Sequence, residues 1–281
     1  MQKDWIDRLM ARAGDIRIDG KPQEIALSAE QAQQLAIYTD LLLDWNTRMN
    51  LTAVMDPEEI LTKHLLDCMA GLPLLCPAEG KGGAGAIGTA SITGTADVAG
   101  AADMVGATGA IGTRPVLADV GTGAGFPGMV LAICRPDMDV VLMDALQKRL
   151  TFLTAVRDEL GLANVRIVHE RAEEAGQKEV YREQMDYAAA RAVAALPVLL
   201  EYCLPFVRTG GSFFAYKGPA LPEELAASAN ALKVLGGKAV GVHEIQVKSE
   251  DWIHYILHVI KERPTGKAYP RRQGKISKAP L

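Results

Sequence analysis

Aromatic residues are scarce: Phe, Trp and Tyr make up 5% of the 281 residues. That leaves little material for the stacked platforms on which single-stranded nucleic acids lie. The four cysteines, Cys68, Cys76, Cys134 and Cys203, form no CxxC pair and no spaced cluster. Their scatter argues against a metal site or a disulfide framework and points to a reducing compartment. No run of about 18 apolar residues occurs, so no membrane span is expected, and the opening MQKDWIDRLM places acids where a secretory signal would be apolar. Positive charge is not in excess either: 30 Lys and Arg against 34 Asp and Glu give a net charge of −4. This excludes a uniformly basic coat but leaves room for a local basic patch. The absences predict a cytoplasmic, soluble protein without metal or membrane partner, read as a monomer.

What is present divides into four stretches. Residues 1–76 read as a helical extension. Ser28 and Gln31 fit a capping box, and Leu35, Tyr38, Leu42, Trp45 and Met49 recur at helical spacing as one buried stripe. A second helix starts at Asp56-Pro57-Glu58-Glu59 and is expected to run to Gly71. Residues 77–115 are a Gly/Ala-rich insertion: those two types fill 20 of its 39 positions, and GAIGT occurs twice. With so little bulky apolar surface the stretch is expected to be flexible. Residues 116–262 alternate apolar runs of strand length with helix-period segments, the pattern of a parallel sheet covered on both faces. The runs at 239–247 and 254–260 are joined by a short connector and are expected to pair antiparallel. Residues 263–281 form a basic arm that its prolines and glycines are expected to leave flexible.

The segment DVGTGAGFPG (119–128) follows the first core strand. As GxGxxG it is a weak dinucleotide signal. In the register acid-x-Gly-x-Gly-x-Gly, with Asp119 at the strand end, it suits a cationic ligand better than a pyrophosphate. S-adenosylmethionine carries an ammonium and a sulfonium and no phosphate, and Gly121 and Gly123 let the backbone approach its tail. Asp144, at the end of the next strand, is placed to accept from ribose hydroxyls, a role common to both cofactors. Ala172 and Glu173 follow the third strand, where the adenine edge would fall. Arg191 stands in the apolar segment AAARAVA at the end of the fourth strand, where a charge needs a partner or a ligand. The fold class expected is a Rossmann-like class I methyltransferase. It has a mostly parallel seven-stranded sheet with an antiparallel C-terminal strand, plus the N-terminal helical extension.

DVGTGAGFPG, DALQKR (144–149), HERAEE (169–174), ARAVA (190–194) and AYKG (215–218) occur in this order. MNLTAV (49–54), KHLLD (63–67) and YPRRQGKISKAPL (269–281) flank them. The set resembles the RsmG family, also called glucose-inhibited division protein B, over nearly the whole chain except 77–115. The resemblance implies S-adenosylmethionine-dependent methylation of guanine N7 in a 16S rRNA loop near the decoding site, with the small ribosomal subunit as partner. It also implies cofactor contacts at Gly121, Phe126, Ala172, Glu173 and Arg191. The 77–115 insertion departs from the family pattern but interrupts no motif.

Missing chemistry agrees with this. The Asn/Asp-Pro-Pro-aromatic turn that serves exocyclic amines is absent; that position reads AAARAVA. Cys134 and Cys203 lie on expected helices and read as small buried hydrophobes rather than nucleophiles. Guanine N7 offers a bare lone pair, so no general base is expected and positioning carries the reaction. From Lys261 onward seven Lys and Arg face one acid, Glu262. Arg271 and Arg272 of this arm, with Lys217, are the expected RNA contacts. A small-molecule methyltransferase on the same sheet, or a cofactor-binding protein that transfers nothing, remains open, because fold alone does not choose among them.

Overall fold

The apolar runs become strands of one sheet in the computed structural model, which describes residues 3–75 and 114–281. The expected Gly/Ala-rich insertion lies outside the described residues except for Arg114 and Pro115. Strands β3 (Val116–Val120), β4 (Asp139–Asp144), β5 (Val165–His169), β6 (Met185–Arg191) and β7 (Val207–Lys217) pair in parallel. Strand β9 (His254–Lys261) lies antiparallel between β7 and β8 (Gly237–Val247). These are the seven strands expected, with the reversed strand at the C-terminal side. Two more extend the edge: β1 (Ile16–Ile18) and β2 (Lys21–Pro22) form a hairpin paired to β8, giving nine strands in the order β2-β1-β8-β9-β7-β6-β3-β4-β5. The N-terminal region is therefore not purely helical. Its hairpin signal is Asp19-Gly20, whose positive φ values of 52° and 73° suit a tight primed turn.

Helix α1 (Lys3–Ala13) precedes the hairpin, and α2 (Ala29–Met49) follows it. The Ser28–Gln31 capping box forms as expected, each side chain bonded to the other's backbone N–H at 3.1 and 2.9 Å. Leu35, Tyr38 and Leu42 are fully buried, whereas Trp45 and Met49 are half-covered. Asp56 caps the second helical run through the amides of Glu58 and Glu59. That run is α3 (Pro57–Ile60), a π-helical turn (Leu61–Leu66) and α4 (Asp67–Met69). π-turns concentrate at functional sites, and this one carries Lys63 and His64.

Helices α5 (Gly128–Cys134) and α6 (Gln147–Leu160) cover one face of the sheet together with the N-terminal helices, around Leu35, Tyr38, Leu142 and Phe152. After the short α7 (Ala172–Ala175), helices α8 (Leu196–Cys203), α9 (Leu221–Ala227) and α10 (Ala229–Leu235) cover the other face, around Leu199, Phe206, Phe213 and Val259. The order reverses between β3 and β6, so loops leaving their C-terminal ends open a crevice, the place where such sheets bind ligands.

The basic tail is docked rather than free. It ends in α11 (Gln273–Lys278), whose Ile276 is fully buried. Arg182 donates to the carbonyls of Gly176, Thr265, Gly266 and Tyr269 at 2.6–3.2 Å. Lys261, counted in the sequence among the arm's cations, is fully buried, with its ammonium on Leu204 O at 2.6 Å and Glu183 at 3.3 Å. Burial pulls its pKa down to about 8. Replacing Arg182 with Ala orphans several carbonyls, each costing about 1–3 kcal/mol where buried. Limited trypsin digestion read by mass spectrometry should then cut the tail of Arg182→Ala well before that of wild type. Equal cleavage rates would mean that the tail is held by other contacts.

Candidate functional site

The glycine loop is held from within by Asp119. This carboxylate is fully buried and accepts from Thr122 Oγ1 at 2.6 Å and from the Gly128 amide at 2.8 Å. Burial pushes its pKa up to about 6, so it is still mostly ionised at neutral pH. It thus shapes the loop through Oδ2, while its buried Oδ1 has no hydrogen-bond partner among the described residues. It also takes the first amide of α5, the position at which a dinucleotide's pyrophosphate would dock. The loop is buttressed from the opposite side by Tyr38, whose hydroxyl donates to Ala124 O at 2.5 Å.

Two cavities open at the C-terminal ends of the parallel strands. The first, about 350 Å³, is lined by Gly121, Asp144, Ala172 and Glu173, so four of the expected site residues meet there. Gly123 reaches the same place through its amide, which donates to Asp144 Oδ2 at 3.0 Å. Asp144 also accepts from Leu146 N at 2.8 Å and from Arg149 at 3.2 Å. A carboxylate offers about four acceptor positions, so one is open, and Arg149, 36% exposed, can turn away. Leu146 and Val193, at 45% and 36% exposure, are bare apolar side chains on the cavity wall. Gly121 has φ +73°, and a Cβ there would lie 2.8 Å from Val193 Cγ2. Gln273 of the docked tail completes the lining, tied to Arg171 at 3.0 Å.

The second cavity, about 620 Å³, lies between the π-turn, the end of β7 and the start of β9. Arg191 and Lys217 line this cavity and not the first, and Ala192 lines both. Ala192 is a non-glycine residue at φ +57°, a conformation that persists only where surroundings impose it. Arg191 donates to Asp67 Oδ2 at 2.8 Å, Lys63 O at 3.0 Å and His64 Nδ1 at 3.1 Å, and lies 5.0 Å over the Phe126 ring. Phe126 is therefore a buried platform under Arg191. His254 binds the other oxygen of Asp67 at 2.9 Å. Burial alone would favour the neutral acid, but His254 and Arg191 hold the Asp67 carboxyl below its usual range.

Of the expected RNA contacts, Lys217 is largely buried and paired with Glu224 at 2.6 Å. Arg271 is engaged with the fully buried Glu201 through contacts of 2.6–3.1 Å, while Arg272 is exposed. Cys134 and Cys203 are raised by burial, Cys134 to about 12, which leaves neither as a thiolate at neutral pH. Among the described residues no group of three or more His, Cys, Asp or Glu could hold a metal, and no helix is long and apolar enough to cross a membrane. Sequence reasoning passed over Leu146, Val193 and Gln273 at the first cavity, and His64, Asp67, Trp252 and His254 at the second. The signal for Asp67 was in KHLLD: a buried Arg191 needs an anion, and an acid on a helix is one source.

Burial, reinforced by Arg191, lowers the His64 pKa to about 4. The folded protein thus refuses a proton that the unfolded chain accepts below about pH 6.5. The neutral ring therefore contributes stability above that pH, and the contribution is lost as pH falls towards 4, up to about 3 kcal/mol in all. His64→Gln lacks this loss, so the stability gap between wild type and variant should shrink between pH 7 and pH 4. Urea unfolding at both pH values measures it; a constant gap would mean that the ring is not held neutral.

A family model described as "GidB: rRNA small subunit methyltransferase G" matches residues 31–86 and 103–253. Proteins named "Ribosomal RNA small subunit methyltransferase G" are similar along most of the chain. The one from Alkaliphilus metalliredigens is 44% identical over 251 residues, covering 89% of this chain and 91% of that protein. The one from Clostridium botulinum (strain Kyoto) is 35% identical over 278 residues, covering 99% of each. The crystal structure of a 16S rRNA (adenine(1408)-N(1))-methyltransferase from Catenulisporales acidiphilia is similar at TM-score 0.48 and 16% identity, over 61% of this chain and 97% of that one. On the strength of the family model and these relatives, the chain belongs to the rRNA small subunit methyltransferase G family.

Proposed function

We infer that the protein is a cytoplasmic methyltransferase that transfers a methyl group from S-adenosylmethionine to guanine N7 in the 16S rRNA of the small ribosomal subunit. The observation that carries this reading is the meeting of two cavities at one loop, Arg191–Ala195, beside a glycine loop whose phosphate position is already taken by a carboxylate. The first cavity fits the donor. Asp144 has an acceptor position open for ribose hydroxyls, Leu146 and Val193 offer bare apolar surface to the two faces of an adenine, and Ala172 and Glu173 stand at its edge. Gly121 leaves main chain exposed where a side chain would intrude. S-adenosylmethionine supplies, when bound, an electrophilic methyl group on a sulfonium.

The second cavity receives the acceptor base. Guanine N7 carries a lone pair and no proton, so the chain has to position the base and need not remove a proton from it. The residues around it agree: His64 hydrogen-bonds Arg191 and Thr52, and Asp67 is committed to Arg191 and His254. RNA is drawn to the rim by cations that have no carboxylate partner among the described residues. Lys148 is exposed at the start of α6, Arg171 holds Gln273, and Arg272, Lys275 and Lys278 stand exposed on the tail. The tail acts as a docked basic ridge.

Incubation with methyl-labelled cofactor and small subunits lacking the modification, followed by mapping of the label, tests the activity; label on any base position other than guanine N7 refutes it. At the donor cavity, Gly121→Val should abolish cofactor binding by calorimetry, because the new side chain meets Val193; near-normal binding would remove the cofactor from this loop. At the ridge, reversing Arg272, Lys275 and Lys278 to Glu should flatten the dependence of log affinity on log salt by about 2–3 for subunit RNA. An unchanged slope would place the RNA elsewhere.

A further inference from the structure

Beyond the reading of the second cavity as the acceptor site, its wall holds an unused hydrogen-bond donor. Lys217 closes β7 and is largely buried, with its side chain 11% exposed. Its ammonium donates to Ala194 O at 3.0 Å and sits 2.6 Å from Glu224 Oε2. An ammonium has three N–H groups, so one is left for whatever enters the cavity. The Ala194 contact ties this lysine to the Arg191–Ala195 loop, whose Ala192 lines both cavities. It therefore stands near the route along which a methyl group must pass.

The neighbouring groups favour donation into the cavity. Arg191 is another pure donor. The two carboxylates that could oppose it are engaged: Asp67 by Arg191 and His254, Glu224 by Lys217 and by the Leu196 amide at 2.6 Å. Trp252 and His254, with ring centroids 4.6 Å apart, give the cavity an aromatic wall against which a base can lie. A purine that turns N7 towards the donor cavity also turns the group on its sixth carbon that way. In guanine that group is a carbonyl, an acceptor; in adenine it is an amine, a donor. A wall of donors welcomes the first and repels the second.

We propose that Lys217 is the specificity-determining residue of the acceptor cavity, its third N–H reading O6 of the target guanine while the other two bind Ala194 O of the dividing loop and the Glu224 carboxylate. The proposal rests on the guanine-N7 reading given above and goes further in naming the atom that is read. Its test uses small subunits assembled with 16S rRNA in which the methylated guanine, once mapped, is replaced by 2,6-diaminopurine. This base keeps N7 and the 2-amine and exchanges O6 for an amine.

Wild type should methylate the guanine subunits with kcat/KM about 10- to 100-fold above that for the diaminopurine subunits. In Lys217→Met that ratio should collapse towards one, with the loss falling on guanine. Lys217→Arg, which keeps a donor, should restore part of the preference. If Lys217→Met slows both substrates equally and keeps the wild-type ratio, the lysine only shapes the loop and the proposal is overturned. If the single variant does not fold because Glu224 is left unpaired, Lys217→Met/Glu224→Gln removes the stranded charge and is read by the same ratio. Wild type that leaves guanine subunits unmethylated would instead overturn the underlying reading, and this inference with it.

Discussion

The site depends on a carboxylate buried where the first core strand meets its glycine loop. Asp119 has no exposure, yet it remains a folded-state anion at neutral pH because Thr122 and Gly128 donate to it. That arrangement fixes the loop's path before any ligand arrives. It also puts negative charge at the start of α5, which makes the position hostile to a phosphate. One residue thereby sets the path of the loop beside the first cavity and disfavours an anionic ligand at the start of α5. The consequence extends to Asp144, held by the Gly123 amide that this loop presents.

A second buried charge explains why the N-terminal region is inseparable from the core. Arg191 ends β6 in apolar surroundings, and a guanidinium there is tolerable only with anions and carbonyls fixed around it. Its three polar partners among the described residues, Lys63 O, His64 and Asp67, come from the π-turn and the residue that follows it. The same region supplies Tyr38 beneath the glycine loop. The helices before the sheet are part of the site's wall. A π-turn offers a carbonyl and two side chains in directions that a regular helix would not.

The parts legible in the sequence were those written in local chemistry. Strand and helix periods placed β3 to β9, the glycine loop and Asp144, and Ser28 with Gln31 announced α2. The β1–β2 hairpin was readable from Asp19-Gly20 but is only a few residues long, too short for a periodic signal. What stayed hidden was pairing over distance. Nothing local to Arg271 says that Glu201 waits for it, so a charged tail read as free was in fact docked; Lys261 hid in the same way. Likewise Arg191 was assigned to the cofactor, whereas its lining position is in the neighbouring cavity. Charge alone cannot separate a cation that meets RNA from one that holds the fold together, because both look identical in one dimension.

The division of the crevice suits a transfer that requires no proton movement. Where a base must be ionised, a site needs a group poised between charge states; here two titratable side chains of the second cavity are instead locked, His64 neutral and Asp67 charged. Locking them leaves geometry as the variable under control. The loop that sets this geometry carries its own strain at Ala192, and it is held on one side by Arg191 and on the other by Lys217 gripping Ala194 O. Two cations from different strands thus brace one short partition, each anchored by a carboxylate from another element. A partition braced in this way can keep donor and acceptor in line without closing on either, which is the main demand that alignment chemistry makes of a protein.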